Sequence, residues 1–215
     1  MSRRTVNHWP TSIANPALPS LIGKLQAVLA GCETILDVGC GTGSPLRFLN
    51  KGHLVGVDGF APAVERARAV CTHDEYFVGD VRNLDELFPD RRFDACVALD
   101  VIEHLPKEDG WRMLESMERL AKRRVVIFTP NGFVPQQSKD GDLQEHLSGW
   151  TTPEFSGRGF RVFGMCGPKS LRGEYHVIKY KPRPLWALAS LLADYAYTRH
   201  HPESAAALLA VRNKG

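Results

Sequence analysis

The sequence predicts an α/β protein in which a doubly wound parallel sheet carries helices on both faces. Two observations support this fold class. Apolar segments of strand length alternate with segments of helical period over residues 34–129. The strand segments are continuously apolar rather than alternating, which is typical of parallel strands buried on both faces. In such a sheet, ligands bind at the carboxyl ends of the strands, near the point where the strand order reverses.

The predicted elements follow one another closely in the first part of the chain. Apolar residues at helical spacing predict a first helix over 18–30, which Gly31 ends. The elements predicted next are strands over 34–38, 53–57, 76–78, 93–99 and 125–129, and helices from about Pro45, over 62–70 and over 106–123.

After Pro130 the pattern changes. Residues 130–150 form a long polar loop, and connections longer than about 12–15 residues usually are functional or disordered. We expect this loop to be functional because it carries aromatic, His and Asn residues. The elements predicted beyond it are a helix from Thr152, a strand over 160–165, an apolar helix over 185–197 and a last strand over 207–211. We therefore expect a single domain over 1–215, made of an N-terminal segment and helix (1–33), a core (34–165), an apolar helical insertion (166–205) and the last strand (206–215).

The composition excludes several classes of protein. The 215 residues are 43% apolar and 24% charged with a net charge of +3, which is typical of a globular protein and gives no support for nucleic-acid binding. The basic cluster at 122–124 is predicted to lie at a helix C-terminus in a structural role. Five scattered cysteines predict reduced thiols, and no metal site is expected. Without a signal peptide or an apolar run of about 20 residues, the cytoplasm is the expected location.

A glycine run after the first strand is the most specific feature of the sequence. Gly39, Gly41 and Gly43 carry no Cβ, so the backbone can turn tightly and approach a ligand. Ser44 and Pro45 then suit an N-cap and the first position of a helix. The free amides of such a helix N-terminus bind anionic groups.

Acidic residues end or follow the first four strands: Asp37, Asp58, Asp80 and Asp100. A carboxylate about 20 residues beyond the first glycine can accept hydrogen bonds from both hydroxyls of a ribose, which suits Asp58. Asp80 is placed to accept from the exocyclic amine of adenine. A turn or a helix cap explains most single aspartates, but four at consecutive strand ends favour a ligand that contains adenosine.

Two kinds of adenosine-containing cofactor are candidates for this loop: a dinucleotide and S-adenosylmethionine. A dinucleotide fingerprint is Gly-x-Gly-x-x-Gly, with helix amides on the pyrophosphate, but here the third glycine, Gly43, comes one residue early. S-adenosylmethionine has no phosphate, so the loop need only wrap its methionyl group. Asp37 would face the ammonium of that group, whereas it would repel a pyrophosphate.

At these residues the chain resembles the class I S-adenosylmethionine-dependent methyltransferases, including the type 11 and quinone-precursor enzymes. The matching motifs are residues 37–43, 57–59, 79–81, and 93–94 with 100–105. The resemblance covers about residues 20–165. It implies a Rossmann-like sheet of seven strands in the order 3-2-1-4-5-7-6 with strand 7 antiparallel, and S-adenosylhomocysteine as the product of the cofactor. The cofactor-binding residues that it implies are Asp37, Gly39, Cys40, Gly41, Gly43, Asp58, Gly59, Phe60, Asp80, Val81 and Asp100.

Three residues are candidates for the catalytic base: Glu103, His104 and His146. The ordinary pKa of histidine suits proton abstraction near neutral pH. Alternatively, Glu103 and His104 orient the loop or cap the next helix, and Trp150, in the long loop, is a packing anchor.

The absence of certain motifs excludes some classes of methyl acceptor. The sequence has no Asn/Asp-Pro-Pro-aromatic box after the fourth strand, no Pro-Cys pair and no Asp/Asp/Asn metal constellation. These absences argue against DNA methyltransferases and magnesium-dependent catechol enzymes. We therefore predict a small-molecule acceptor and no nucleic-acid partner, with O- and N-methylation both open. A catalytically inactive regulatory protein that binds the cofactor, and an NAD-binding dehydrogenase, are the alternative functions.

A basic stretch adjoins an apolar helix over 179–195. Such a segment could lie on a membrane surface without crossing it. A helix docked on the core, or on a second subunit of a homodimer, is the more common explanation.

Overall fold

The computed structural model describes residues 17–49, 52–136, 144–172 and 177–214, without the side chains of residues 17–20. Its strands are β1 (Thr34–Val38), β2 (His53–Asp58), β3 (Glu75–Val78), β4 (Phe93–Leu99), β5 (Ala121–Pro130), β6 (Arg161–Pro168) and β7 (Ala205–Asn213). They form one sheet in the order β3-β2-β1-β4-β5-β7-β6. Strand β7 is antiparallel to both of its neighbours, and the other pairs are parallel. The predicted strand order and direction are therefore confirmed.

Helices cover both faces of this sheet. They are α1 (Ala17–Val28), α2 (Ala61–Ala69), α3 (Leu84–Leu87), α4 (Lys107–Leu120), α5 (Thr152–Gly157) and α6 (Arg183–Ala193). Alternate residues of β1 face opposite sides, as the strand geometry requires. Leu36 and Val38 pack in the core cluster that includes α4, whereas Ile35 packs in the cluster that includes α1.

The helix predicted from Pro45 is one 3₁₀ turn, Pro45–Phe48. Leu46 and Leu49, three residues apart, both pack in the core cluster beneath α1, and a turn with three residues per repeat places them on the same side. Residues 1–16 of the predicted N-terminal segment and residues 137–143 of the long loop lie outside the described residues.

The helix predicted over 106–123 ends earlier, at Leu120, because the following residues belong to β5. Ala121 already pairs with Phe93 of β4. The basic cluster at 122–124 therefore lies in a strand, which corrects the predicted position.

This basic cluster nevertheless has a structural role. Arg123 donates a hydrogen bond to the carbonyl of Gly31, and Arg124 donates to the carbonyls of Val28 and, at 3.0 Å, Ala30. The two guanidinium groups thus cap the C-terminus of α1, where cations are favourable.

Helix α6 and the π-helical turn that follows it, Asp194–Thr198, dock on β6 through polar side chains. Ser190, Asp194 and Thr198 are buried, and Asp194 Oδ1 accepts hydrogen bonds from the amide of Gly167 at 3.0 Å and from Thr198 Oγ1 at 3.1 Å. The apolar residues on the outer side of this segment are exposed: Leu185, Leu188, Leu191, Leu192 and Tyr195. Among the described residues, no helix is long and apolar enough to cross a bilayer.

Candidate functional site

The loop after β1 folds over the end of β2. The amides of Gly39 and Cys40 both donate to the carbonyl of Val57, at 2.8 and 3.0 Å. Gly39 has a φ of +70°, and a Cβ on it would lie 2.4 Å from Cγ2 of Val101. Gly41 has a φ of +56°, but a Cβ there would meet no atom within 4 Å. The first glycine is therefore required by packing, whereas the second faces open space where a ligand can approach the backbone.

Ser44 ends this loop as the predicted N-cap. Its hydroxyl accepts a hydrogen bond from the amide of Leu46 at 3.2 Å. The helix that it caps has only four residues, Pro45–Phe48. The loop therefore lacks the long helix whose terminus holds a pyrophosphate in dinucleotide sites.

Asp58 fixes the glycine loop to the end of β2. Its Oδ2 accepts from the amide of Gly41 and its Oδ1 from the amide of Phe60, both at 2.8 Å. Burial raises the pKa of Asp58, and the two backbone donors oppose that shift. The carboxylate is held at the ligand side of the loop, where a ribose could donate to its remaining lone pairs.

Asp80 follows β3 and is bound by its own neighbour. The guanidinium Nε of Arg82 lies 2.9 Å from both carboxylate oxygens of Asp80, and this hydrogen bonding lowers the pKa of Asp80. Val81 lies beside it on the cavity wall. A contact of Asp80 with adenine stays a prediction. In such a contact the carboxylate of Asp80 would accept hydrogen bonds from both adenine and Arg82.

Asp37 lies beneath the glycine loop and does not line the cavity. Its carboxylate is 1% exposed, and Oδ2 lies 2.8 Å from Nε2 of His73. The other ring nitrogen of His73 lies 2.8 Å from Thr72 Oγ1. The structure thus gives Asp37 a buried histidine partner that the sequence did not indicate. Its predicted contact with a cofactor ammonium stays a prediction.

Asp100 and Glu103 are buried beside each other after β4. Glu103 is 2% exposed, and its Oε2 accepts from Thr129 Oγ1 at 2.9 Å. Burial raises the pKa of both carboxyl groups, and the charge of Asp100 raises that of Glu103 further. A hydrogen bond between the two requires one of them to keep its proton, because a pair of carboxylates has no donor.

The two candidate histidines face each other across the site. The ring centroids of His104 and His146 are 4.8 Å apart in an edge-to-face arrangement. His104 Nδ1 lies 3.0 Å from the carbonyl of Glu145, and His146 Nδ1 lies 2.6 Å from the carbonyl of Val134. A carbonyl can only accept, so both Nδ1 atoms carry the hydrogen.

The main chain of Glu103 holds the far end of the long loop. Its carbonyl accepts hydrogen bonds from the amides of Leu147 and Ser148 at 2.8 and 3.0 Å. Trp150 is fully buried, stacks on Phe155, and its Nε1 donates to Ser148 Oγ at 2.9 Å. The orienting role considered for Glu103 and the packing role considered for Trp150 are both visible in these contacts.

One cavity of about 740 Å³ joins these parts. It is lined by every predicted site residue except Asp37. The sequence reasoning missed further lining residues, among them Leu99, Pro130, Phe133, Lys169, Arg172 and Lys179. A signal for the residues after β6 existed, because β6 runs parallel to β5 and its carboxyl end reaches the same edge of the sheet.

Comparisons with known proteins agree with this geometry. Residues 35–124 match the model of the family described as "Methyltransferase domain". Over these residues the chain is similar to a methyltransferase domain, and the observed strand order is the one that its resemblance to class I S-adenosylmethionine-dependent methyltransferases implies. Among the curated relatives, a probable tRNA methyltransferase 9B from Bos taurus is 39% identical over 141 residues, which cover 65% of this chain and 30% of that protein. A sterol 24-C-methyltransferase from Neurospora crassa is 33% identical over 85 residues, covering 35% of this chain and 22% of that protein.

The chain matches less than a third of the length of these two relatives. A solved structure also has this fold: magnesium protoporphyrin IX methyltransferase from Synechocystis PCC 6803 with bound S-adenosylmethionine. It superposes with a TM-score of 0.52 at 20% identity, over 91% of this chain and 77% of that one. The matched residues 35–124 include the glycine loop and the acids at the ends of the first four strands. The names of the relatives give different acceptors: a tRNA, a sterol and magnesium protoporphyrin IX.

Proposed function

We propose that the protein transfers the methyl group of S-adenosylmethionine to an acceptor held beside His104 and His146. The observation that carries this proposal is the single cavity that joins the glycine loop and Asp58 to the two histidines. The ribose would bind Asp58, the methionyl group would lie over Gly41, and the sulfonium would point towards the strand end at Asp100.

Methyl transfer would proceed by direct displacement. The bond between sulfur and the methyl carbon breaks as the acceptor oxygen or nitrogen bonds to that carbon, and sulfur keeps the electron pair in neutral S-adenosylhomocysteine. Alignment of the two reactants in a closed site supplies much of the rate. The acceptor proton would leave to Nε2 of His104 or His146, which carries the ring lone pair because Nδ1 donates to a carbonyl.

For the acceptor we propose a small molecule that carries an anionic group. Lys169, Arg172 and Lys179 line the cavity. Arg172 is only 7% exposed, and burial lowers its pKa. A cation in so dry a wall attracts an anion more strongly than one in water does. The sterol and magnesium-protoporphyrin enzymes among the relatives are themselves named for small-molecule acceptors.

A tRNA acceptor is the second candidate, supported by the relatives named as probable tRNA methyltransferases. In that case a nucleotide would reach into the cavity, and the cations on its wall would bind phosphate groups. The surface cluster at 122–124 is less available for such binding, because Arg123 and Arg124 cap α1.

Two measurements test the proposal. Calorimetry with S-adenosylhomocysteine and with NAD should give binding of the first only, and tight NAD binding would overturn the assignment. Incubation with methyl-labelled donor and either a metabolite extract or total tRNA should label a small molecule. Label in tRNA would replace the small-molecule acceptor with RNA, and label in neither fraction despite cofactor binding would favour the inactive binding protein.

A further inference from the structure

Three side chains with metal-binding groups converge on the acceptor side of the cavity. One ligand atom from each of Glu103, His104 and His146 lies within 4.8 Å of the other two. Glu103 and His104 belong to the 3₁₀ turn Ile102–His104 after β4, whereas His146 comes from the far end of the long loop. Only the folded chain brings them together, so no metal-ligand spacing is visible in the sequence.

Hydrogen bonds at Nδ1 fix the orientation of both imidazole rings, so that Nε2 is the atom that could bind a metal ion. Each Nδ1 donates to a backbone carbonyl, of Glu145 for His104 and of Val134 for His146. This fixes the tautomer and leaves the lone pair on Nε2. Histidines that bind metal ions usually donate their other ring nitrogen in this way, because the donation sets the ring orientation and raises the basicity of the ligand atom.

The carboxyl groups provide the negative charge for a cation. Glu103 Oε2 is engaged by Thr129, but Oε1 is buried and meets no donor in the described part of the chain. The same holds for Oδ1 of the adjacent Asp100. The two buried carboxyl groups therefore lie beside two imidazole rings, and a bound proton or a cation would offset the cost of burying the carboxylate charges.

We propose that Glu103, His104 and His146 bind one divalent transition-metal ion, with Asp100 next to the ion's remaining positions. Two imidazoles and a carboxylate suit Mn²⁺, Fe²⁺, Co²⁺ or Zn²⁺ better than Mg²⁺ or Ca²⁺, which prefer oxygen ligands. Bonds of about 2.0–2.2 Å place neighbouring ligand atoms about 3–3.6 Å apart, so ligand atoms that now lie up to 4.8 Å apart must move closer by roughly 1 Å or more.

The ion's open positions would face the cavity that the three residues line. An acceptor oxygen bound there would lose its proton more readily, because a divalent cation stabilises the deprotonated form. This consequence rests on the proposed function, whereas the metal binding itself does not. The histidines would then be metal ligands rather than bases, since both roles use the same lone pairs.

Cobalt binding to the full chain tests the site without an activity assay. The protein is stripped with a chelator, dialysed and titrated with Co²⁺ while the visible d–d absorption is recorded. We expect one ion per chain and displacement by Zn²⁺. Glu103→Gln and His146→Gln should each weaken binding by roughly 100-fold, since loss of a ligand should cost at least as much as loss of a supporting residue. The exposed His200 provides the matched control, and His200→Gln should bind Co²⁺ as the parent does.

Calorimetry with S-adenosylhomocysteine on the same samples separates the possible failures. Retained cofactor binding shows that a variant has folded. Cofactor binding without stoichiometric Co²⁺ binding, or Co²⁺ binding that both substitutions leave unchanged, overturns the metal site and leaves the histidines as bases. Co²⁺ binding that depends on Glu103 and His146 in a protein that binds no cofactor overturns the proposed function and keeps the metal site.

Discussion

The two sides of the cavity are built differently. On the cofactor side, the glycine loop is held by the strand next to it, through bonds from Gly39, Cys40 and Gly41 to Val57 and Asp58. On the acceptor side, the wall consists of segments far apart in the chain. The carbonyl of Glu103 binds amides of the long loop, and residues after β6 complete the wall. The first side depends on neighbouring strand ends, whereas the second depends on long-range packing.

The largest effect is expected where the acceptor side is anchored. Trp150→Ala removes a fully buried indole that stacks on Phe155 and packs against Trp111. The free energy of unfolding should fall by about 3–5 kcal/mol in denaturant titrations. Trp111→Ala is the matched control, and its partly buried side chain should cost less. A loss below about 1 kcal/mol for Trp150→Ala would mean that the acceptor side does not depend on this anchor.

On the cofactor side, substitution of two glycines distinguishes a position required by packing, Gly39, from one that faces the space for a ligand, Gly41. Gly39→Ala should lower stability by about 2–4 kcal/mol, because its Cβ would collide with Val101 at a positive φ. Gly41→Ala has free space and should cost only the backbone strain, about 1 kcal/mol. It should nevertheless weaken S-adenosylhomocysteine binding, since its Cβ enters the cavity. Unfolding curves and calorimetry on both variants check this, and equal losses of stability would contradict it.

Asp58→Asn should weaken cofactor binding while the fold remains. Both carboxylate oxygens of Asp58 accept hydrogen bonds, one from the amide of Gly41 and the other from the amide of Phe60. In asparagine one of these oxygens is replaced by an NH₂ group, which can only donate, so one backbone bond and part of the capacity to accept from a ribose are lost. The expected loss is about 10–100-fold in the Kd for S-adenosylhomocysteine, measured by calorimetry. Asp85→Asn is the control, because Asp85 binds Arg119 and does not line the cavity. Unchanged affinity in Asp58→Asn would remove the proposed ribose contact.

The smallest effect is expected at the outer edge of the cofactor side, in β3. Hydrogen bonds from Arg91, and then from His53, lower the pKa of Glu75 to about 2. Because the folded pKa lies below the ordinary value of 4.5, this stabilisation is complete above pH 4.5 and is lost as the pH falls towards 2.

Solvent screening limits the contribution to less than about 1 kcal/mol, since the Glu75 side chain is 36% exposed. Unfolding measured from pH 6 to 3 in the parent and in Glu75→Gln checks it, with the difference between the two shrinking towards low pH. A constant difference would show that the carboxylate contributes nothing through its charge.

Much of the fold could be predicted from the sequence. Strands β1 and β4 have the predicted bounds, and the other strands begin or end within a few residues of them. The errors lie where tertiary contacts override local pattern. Residues 121–123 continue a helical pattern but belong to β5, whose Ala121 already pairs with Phe93 of β4. The four-residue turn after Ser44 stays short because Leu46 and Leu49 enter the core.

The same distinction holds for the site. Its glycines and strand-end acids were predictable, because each lies within a few residues of a strand that aims it at the common edge. The buried pairing of Asp37 with His73 was not, since neither residue's neighbours in the chain indicate the other. Lys169 and Arg172 were missed although the expected direction of β6 already placed them at this edge.

The sequence by itself determined the doubly wound α/β class and the glycine loop, because alternating apolar segments and short motifs act locally. The strand order and the methyltransferase activity were implied by the resemblance that those motifs carry. Only the tertiary structure decided that Glu103, His104 and His146 meet within 4.8 Å, that Asp37 is buried, and that α6 exposes its leucines. These features depend on contacts between distant segments, and no local pattern of residues encodes such contacts.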